Sequence, residues 1–435
     1  MITSTALTDI PVTTPRQSPM KTIVGTGIGN TLEWYDWNVY ATFAAFFSVQ
    51  LFDKTDPRSA FLATMAVFAV GFVARPLGGA LFGWIGDRIG RRMSLALSVG
   101  TAAVGSLIIG LTPNFEHIGV WASVILLAAR LIQGLAHGGE LPSAQTYLVE
   151  HAPREKRGFY ASSIYISGTL GVLLGLALGL ILQNVLDRQQ MASWGWRVPF
   201  LFGALLGFVA LYIRESMTES EVFTEHQAAV KPAQKKNLYV EVAKNWRTGL
   251  RVIFLTAGGT MFYYVWAVTM PSIAQKSLGF TADQAFTASL IGSIVLILAL
   301  PVGGWLADHW GRKPVLYLST IGSIILYFPL VAYVTGVATP FALTVTIAIQ
   351  MILIAMFAGP APAFYAEMFS TEQRTAGFGI YYAIAIAVFG GTAGFVFAYL
   401  SNVYHFAIYN VCFLVLALIV IWFMPETKGL DLRKL

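Results

Sequence analysis

Polar and apolar positions separate along this chain on the scale of whole helices. Twelve apolar runs occupy roughly 23–47, 60–84, 93–112, 119–149, 158–182, 197–213, 250–272, 284–306, 315–335, 340–366, 376–400 and 405–424. Each is close to the twenty or so mostly apolar residues that a membrane-spanning helix needs. The longest polar connector, 214–249, holds Lys231, Lys235, Lys236 and Lys244 and divides the runs six and six. The pattern predicts an N-terminal tail (1–22), a six-helix bundle (23–213), a central loop (214–249), a second six-helix bundle (250–424) and a C-terminal tail (425–435). The first twenty residues are polar, with no apolar core, so they are expected to be a cytoplasmic tail and not a signal peptide.

The two sets of six repeat one another. Gly83-Trp84-Ile85-Gly86-Asp87-Arg88-Ile89-Gly90-Arg91-Arg92 returns 221 positions later as Gly304-Trp305-Leu306-Ala307-Asp308-His309-Trp310-Gly311-Arg312-Lys313. Glu150, seven residues before Arg157, is matched by Glu367, seven before Arg374. Duplicated membrane halves commonly build a binding site where they meet. Topogenesis alone asks for Lys and Arg, not for a fixed acid and glycines in register. Asp87, Arg88, Arg91, Glu150 and Arg157, with Asp308, Arg312, Glu367 and Arg374, are therefore candidates for a cytoplasmic gate. The predicted pairs are Arg91 with Glu150 and Arg312 with Glu367. Exposed or half-buried pairs of this kind contribute about 1 kcal/mol each.

Composition agrees with a membrane protein. Charged residues make up 11% of the chain and apolar ones 56%, whereas soluble domains carry about 25% charged residues. The net charge of +6 does not point to nucleic acid, because the basic residues sit in short connectors. With the N-terminus in the cytoplasm, about 21 basic residues fall inside and only Lys54, Arg58, Arg188, Arg197 and Lys276 fall outside, which sets both termini as cytoplasmic. Cys412 is the lone cysteine, so no intramolecular disulfide forms. No metal-ligand spacing, nucleophile–base set or phosphate loop is present. Gly25, Gly27 and Gly29 follow no strand, which discards a dinucleotide fingerprint. The chain reads as a non-enzyme without metal or cofactor.

Charges inside the runs are costly in lipid and default to functional hypotheses. Glu33, Asp36, Arg75, Arg130 and Glu140 all lie in the first half. At 1.5 Å per residue Glu33 sits roughly 15 Å from the cytoplasmic end of the first helix. A substrate carboxylate favours a planar bidentate donor, which arginine supplies; Arg130 is the first candidate and Arg75 the second. Glu33, Asp36 and Glu140 are candidate proton carriers, and His137, one turn beyond Arg130, is another. Glu33 and Asp36, three apart, are expected on one helix face. The bland alternative is a buried ion-pair network that only holds helices together. The second half offers aromatics in place of charges: Tyr263, Tyr264 and Trp266, then Tyr365, Tyr381 and Tyr382, with Gln350 as a weaker candidate. Gly171, Gly175 and Gly179 predict a close helix contact.

The loop repeat, Arg130-Leu131-Ile132-Gln133-Gly134 and Pro425-Glu426-Thr427-Lys428-Gly429 resemble signatures of the major facilitator superfamily. Gly29-Asn30-Thr31-Leu32-Glu33-Trp34-Tyr35-Asp36, Arg75-Pro76-Leu77-Gly78-Gly79, Gly138-Gly139-Glu140 and Trp194-Gly195-Trp196-Arg197-Val198-Pro199-Phe200 resemble its metabolite:proton symporter family, and within it the alpha-ketoglutarate (dicarboxylate) permeases. Those permeases often read Gly-Gly-Glu-Tyr-Gly where this chain has Leu141 and Pro142 after Glu140. The resemblance implies an all-α fold of 12 transmembrane helices in two six-helix bundles around a central cavity. It also implies import of a small organic anion, such as the dicarboxylate 2-oxoglutarate, with protons as the coupling ion. It makes Asn30, Tyr35 and Gln133 further candidate substrate contacts beside Arg75, Arg130, Tyr263, Tyr264, Tyr365 and Tyr382. Citrate, shikimate, an aromatic acid, betaine or proline are alternative cargoes. An exporter is disfavoured by the missing Gly-Pro pair in the fifth helix. The expected setting is a monomer in the lipid of a bacterial inner membrane, with no nucleic-acid partner.

Overall fold

The computed structural model describes residues 19–88, 91–138, 141, 145, 148–149, 152–215, 238–369, 374–400 and 402–430; within these, some side chains, including those of Asp87, Arg88, Arg91 and Arg374, lie outside the description. Every regular element among the described residues is helical. The first six spans are α1 (Pro19–Leu51), α2 (Pro57–Val73, resumed as Arg75–Arg88), α3 (Arg91–Leu111), α4 (from Trp121–His137), α5 (Arg157–Val185) and α6 (Val198–Glu215). The second six are α7 (Trp246–Tyr263, then Tyr264–Thr269 and Met270–Ser277), α8 (Ala282–Trp310), α9 (Arg312–Val337), α10 (Pro340–Ala358 and Ala361–Ala366), α11 (Arg374–Ala385, Ile386–Gly390 and Ala393–Leu400) and α12 (Val403–Phe423). Nine of these spans are long and apolar enough to cross a membrane on length and hydropathy alone. Two are carried by the shorter apolar helices Ala96–Leu111 and Trp121–His137, and α1 completes the twelve.

Proline and glycine set the local shape. Pro76 has no N–H to give the preceding turn, and α2 breaks at Ala74, just before Arg75. Pro271 does the same in α7, where the preceding turn widens into a π-helix over Tyr264–Thr269. The Thr269 hydroxyl donates to the Tyr264 carbonyl at 2.9 Å and satisfies an acceptor in that wide turn. α2 and α4 meet backbone to backbone: a Cβ on Gly134 would lie 2.0 Å from the Gly71 carbonyl oxygen, and one on Gly138 1.8 Å from that of Arg75. This approach holds Arg75 and Arg130 in one neighbourhood. The glycine stripe of α5 faces α1 at Gly171 and Gly175 and reaches Phe286 of α8 at Gly179.

The two halves touch at both ends of the bundle. At the end that carries the 214–249 connection, here the connector face, a Cβ on Gly304 of α8 would meet the Gly158 carbonyl of α5 at 2.4 Å. Toward the far face, Ser272 of α7 donates to the Ala41 carbonyl of α1 at 2.9 Å. There Phe72 and Met65 of α2 pack on Gly391 and Gly394 of α11. The halves thus meet on either side of a central space.

Candidate functional site

A cavity of about 50 Å³ lies between the halves, room for a few water molecules. The first half lines it with Glu33, Trp34, Trp37, Asn38 and Arg75, and with Tyr165 of α5. The second half contributes mainly apolar and aromatic groups, among them Tyr263, Tyr264, Phe357 and Tyr382. Arg75 forms an ion pair with Glu33 at 3.1 Å, both side chains almost wholly buried. The break before Pro76 places Arg75 at a helix start, and its guanidinium lies 4.4 Å from the centre of the Trp37 ring. The hydroxyls of Tyr165 and Tyr382 share a hydrogen bond of 3.2 Å that crosses from α5 to α11.

One layer back lies a second polar set. Arg130 is fully buried and lies 3.9 Å from the centre of the Trp37 ring and 4.3 Å from that of Tyr40. It donates to Gln133 Oε1 at 2.8 Å; Gln133 Nε2 donates to Ser106 Oγ at 2.7 Å; Ser106 donates to Asp36 Oδ1 at 2.9 Å. The remaining Arg130 nitrogens, Nε and one terminal amine, have no hydrogen-bond partner.

These positions reorder the candidates. Arg130 does not reach the cavity, because the Trp37 indole stands in contact with it; Arg75 is the cation in the wall. Gln133 is committed to Arg130 and Ser106. Glu33 and Asp36 part company: Glu33 faces the cavity, while Asp36 points to α3. Asn30 Nδ2 donates to the Ile164 carbonyl and to Ser167 Oγ, tying α1 to α5. The Tyr35 hydroxyl donates to the Pro199 carbonyl at 2.7 Å. Tyr365 accepts from Thr256 at 2.7 Å and sits behind Tyr382 at 5.6 Å. His137 is buried near Trp37, ring centres 6.2 Å apart, and is not in the wall. Gln350 is buried outside the wall, Trp266 packs on Tyr327, and Tyr381 donates to the Val242 carbonyl. Glu140 lies outside the described residues. Tyr263, Tyr264 and Tyr382 do line the cavity. The reading of the sequence missed Trp37, Asn38 and Tyr165. Glu33 with Trp37, and Trp34 with Asn38, each stand one helical turn apart, a stripe that periodicity along α1 carries.

The connector face holds a second charged assembly. Glu367 takes Arg312 Nη2 at 3.0 Å and Nε at 3.2 Å, Arg157 at 3.1 Å and the Thr427 hydroxyl at 2.7 Å. Asp308 takes Arg312 at 2.7 Å and accepts from the backbone N–H of Gly158 and Phe159 at 2.8 and 2.9 Å, at the start of α5. Here the N–H groups have no intrahelical acceptor. Arg312 with Glu367 is the predicted pair. The pair is buried, not half-exposed, so a lost partner costs far more than the surface figure: about 3–5 kcal/mol when one member of a buried pair is removed. Arg157 pairs across the halves with Glu367. Glu150 lies outside the described residues, as do the side chains of Asp87, Arg88, Arg91 and Arg374, so the Arg91–Glu150 pair does too. The C-terminal segment, not among the candidates for this assembly, joins it. Glu426 accepts from the backbone N–H of Arg312 and Lys313 at 2.8 and 3.0 Å, and the Leu430 carbonyl accepts from Arg157 at 3.0 Å.

Known proteins share this architecture. A family model described as Major Facilitator Superfamily matches residues 27–331 and 255–434. The alpha-ketoglutarate permease of Escherichia coli K12 is 34% identical over 381 residues, covering 88% of this chain and 87% of the permease. The shikimate transporter of the same organism is 32% identical and covers 86% of each chain; its proline/betaine transporter is 29% identical over 86% of this chain and 76% of that one. A partially occluded inward-open structure of the xylose transporter XylE from E. coli superposes with a TM-score of 0.75 at 19% identity, covering 96% of this chain and all of XylE.

Proposed function

The chain belongs to the major facilitator superfamily and is a multi-pass membrane transporter, and on that premise we propose that it is a proton-coupled symporter importing a small organic acid anion by alternating access. The observation that carries this reading is the Glu33–Arg75 ion pair in the wall of the interfacial cavity. Taking the acid from a buried ion pair leaves its guanidinium uncompensated, so Arg75 parted from Glu33 favours another anion in its place. When a substrate carboxylate takes that place, Glu33 loses its cation, and burial then favours its protonated form. Anion and proton thus load together, and the cavity stays neutral while the halves rock. On release, Arg75 returns to Glu33 and the proton leaves.

The excess of Lys and Arg assigns the connector face to the cytoplasm, in the inner membrane. The Asp308–Arg312–Glu367–Arg157 assembly is the cytoplasmic gate, which must part for release. Asp36, reached from Arg130 through Gln133 and Ser106, is a reserve acid one layer behind the exchange. Protons are the coupling ion, no cofactor takes part, and the working unit is a monomer.

The test is uptake into proteoliposomes under an imposed inward proton gradient. Labelled 2-oxoglutarate comes first, since the permease named for it is a 34%-identical relative; unlabelled citrate, succinate, shikimate and betaine serve as competitors. Accumulation that collapses with a protonophore supports symport. Equilibration indifferent to the gradient overturns it.

A further inference from the structure

The charge and hydrogen-bond inventory of the cavity narrows the cargo further, on the basis of the symport reading. Two basic residues lie deep in the spans, Arg75 and Arg130. Among the described residues of the wall, Arg75 is the one cation; Arg130 is fully buried against Trp37 and Tyr40. One guanidinium neutralises one carboxylate. If Glu33 is protonated by the exchange, a monocarboxylate leaves the closed cavity neutral. A dicarboxylate leaves one negative charge without a cation in a space walled by aromatic rings, where an unpaired charge is strongly disfavoured. No basic residue of the second half lies deep enough to supply the missing charge.

The wall also holds uncharged polar groups, one of which nothing among the described residues satisfies. Asn38 is buried in the wall, and neither its amide nitrogen nor its oxygen has a partner. Gly175 makes room for it: a Cβ there would lie 2.6 Å from Asn38 Oδ1. Tyr263 adds a buried hydroxyl to the wall beside Thr169, whose own proton goes to the Tyr165 carbonyl at 2.6 Å. Buried polar groups without partners are rare and call for an explanation. An amide that both donates and accepts, with a phenol, suits a hydroxyl or keto oxygen. Between the charged and neutral groups the wall is Trp34, Trp37 and Tyr264, flat surfaces suited to a ring.

We infer that the cavity selects monocarboxylates bearing an uncharged hydroxyl or keto group on a compact, ring-like body, with the carboxylate on Arg75 and the neutral oxygen on Asn38 and Tyr263. The test uses the full chain in proteoliposomes under an inward proton gradient. Labelled shikimate and 4-hydroxybenzoate are compared with benzoate, 2-oxoglutarate and succinate. The expected result is gradient-driven accumulation of at least one hydroxylated monocarboxylate, about tenfold above either dicarboxylate and above benzoate, a discrimination typical of one hydrogen bond. Asn38→Ala is expected to bring 4-hydroxybenzoate and benzoate, or shikimate and its weaker rivals, to within about twofold; Tyr263→Phe, which keeps the ring, gives the same direction should the first variant fold poorly. Accumulation of 2-oxoglutarate or succinate with exclusion of the monocarboxylates overturns this inference and leaves symport standing. Benzoate taken up as well as 4-hydroxybenzoate overturns the neutral oxygen site. Failure of every acid to accumulate overturns the symport reading, and the inference with it.

Discussion

The two buried charge assemblies differ in how completely they are satisfied. At the connector face, Glu367 receives four donors from Arg312, Arg157 and Thr427, and Asp308 is filled by Arg312 and two backbone N–H groups. At the midplane, Arg75 holds one acid, its Nε has no partner, and Asn38 beside it has none. At the connector face Arg157 Nε is also without a partner, but both acids are filled, and a network with filled acids resists change and suits a lock. An undersatisfied one has capacity left for a ligand. The contrast teaches more than the presence of charge, which both share.

The largest effect is expected at the midplane. Arg75→Gln removes the one cation among the described residues of the wall, and uptake should fall by about a hundredfold or more, the scale of losing a charge-assisted bidentate contact of about 3 kcal/mol. Arg75→Lys should fall nearly as far, because an ammonium lacks the planar fork. Arg130→Lys should cost much less in transport, since Arg130 lies behind Trp37. Transport left intact by both lysine variants contradicts the site.

Removing the centre of the lock should act on stability first. Glu367→Gln leaves Arg157 buried without its acid and Arg312 with Asp308 alone, a loss of about 3 kcal/mol, read as a lower thermal midpoint in detergent. The same change frees the connector face to open, so a cysteine introduced on the cavity side of the gate should label faster from that face. Thr427→Val removes one neutral hydrogen bond and should cost only about 1 kcal/mol. At the far face, the exposed pair of Lys54 with Glu116 gives the control. Its hydrogen bond raises the lysine and lowers the carboxylate in pKa, yet Lys54→Ala should leave uptake and thermal midpoint unchanged within error.

A packing change sharpens the same contrast without touching a charge. Gly134→Ala drives a Cβ to 2.0 Å from the Gly71 carbonyl and forces α2 from α4. Arg75 and Arg130 ride on these two helices. The expected outcome is loss of uptake with the connector-face lock intact, the latter read by unchanged cysteine labelling at that face.

Much of this was legible in the sequence. The apolar runs fixed twelve spans, because a span's length and composition are set by the bilayer. The duplicated acid-and-basic loops pointed to the charged assembly at the connector face, and Arg312 with Glu367 formed as paired. Which deep charges face the cavity was not legible. Glu33 and Asp36 are three residues apart, and a helix turned by its neighbours separates their directions: Ser106 draws Asp36 to α3. Arg130 looked like the better carboxylate ligand, but nothing in its local sequence shows that Trp37, far away in the chain, lies against it. Arg75 gains its position from Pro76 and from the glycines of α2 and α4, which act only once both helices are packed. The C-terminal contribution of Glu426 and Thr427 required the chain end to return to the start of α9.

The central claim is that substrate takes Arg75 from Glu33 and so loads the proton. Glu33→Gln tests it most directly, in proteoliposomes with whichever panel acid the wild type accumulates. The variant should lose gradient-driven accumulation yet retain exchange of labelled for unlabelled acid across the membrane. Accumulation that persists at the wild-type level, still sensitive to a protonophore, would place the proton elsewhere and contradict the account.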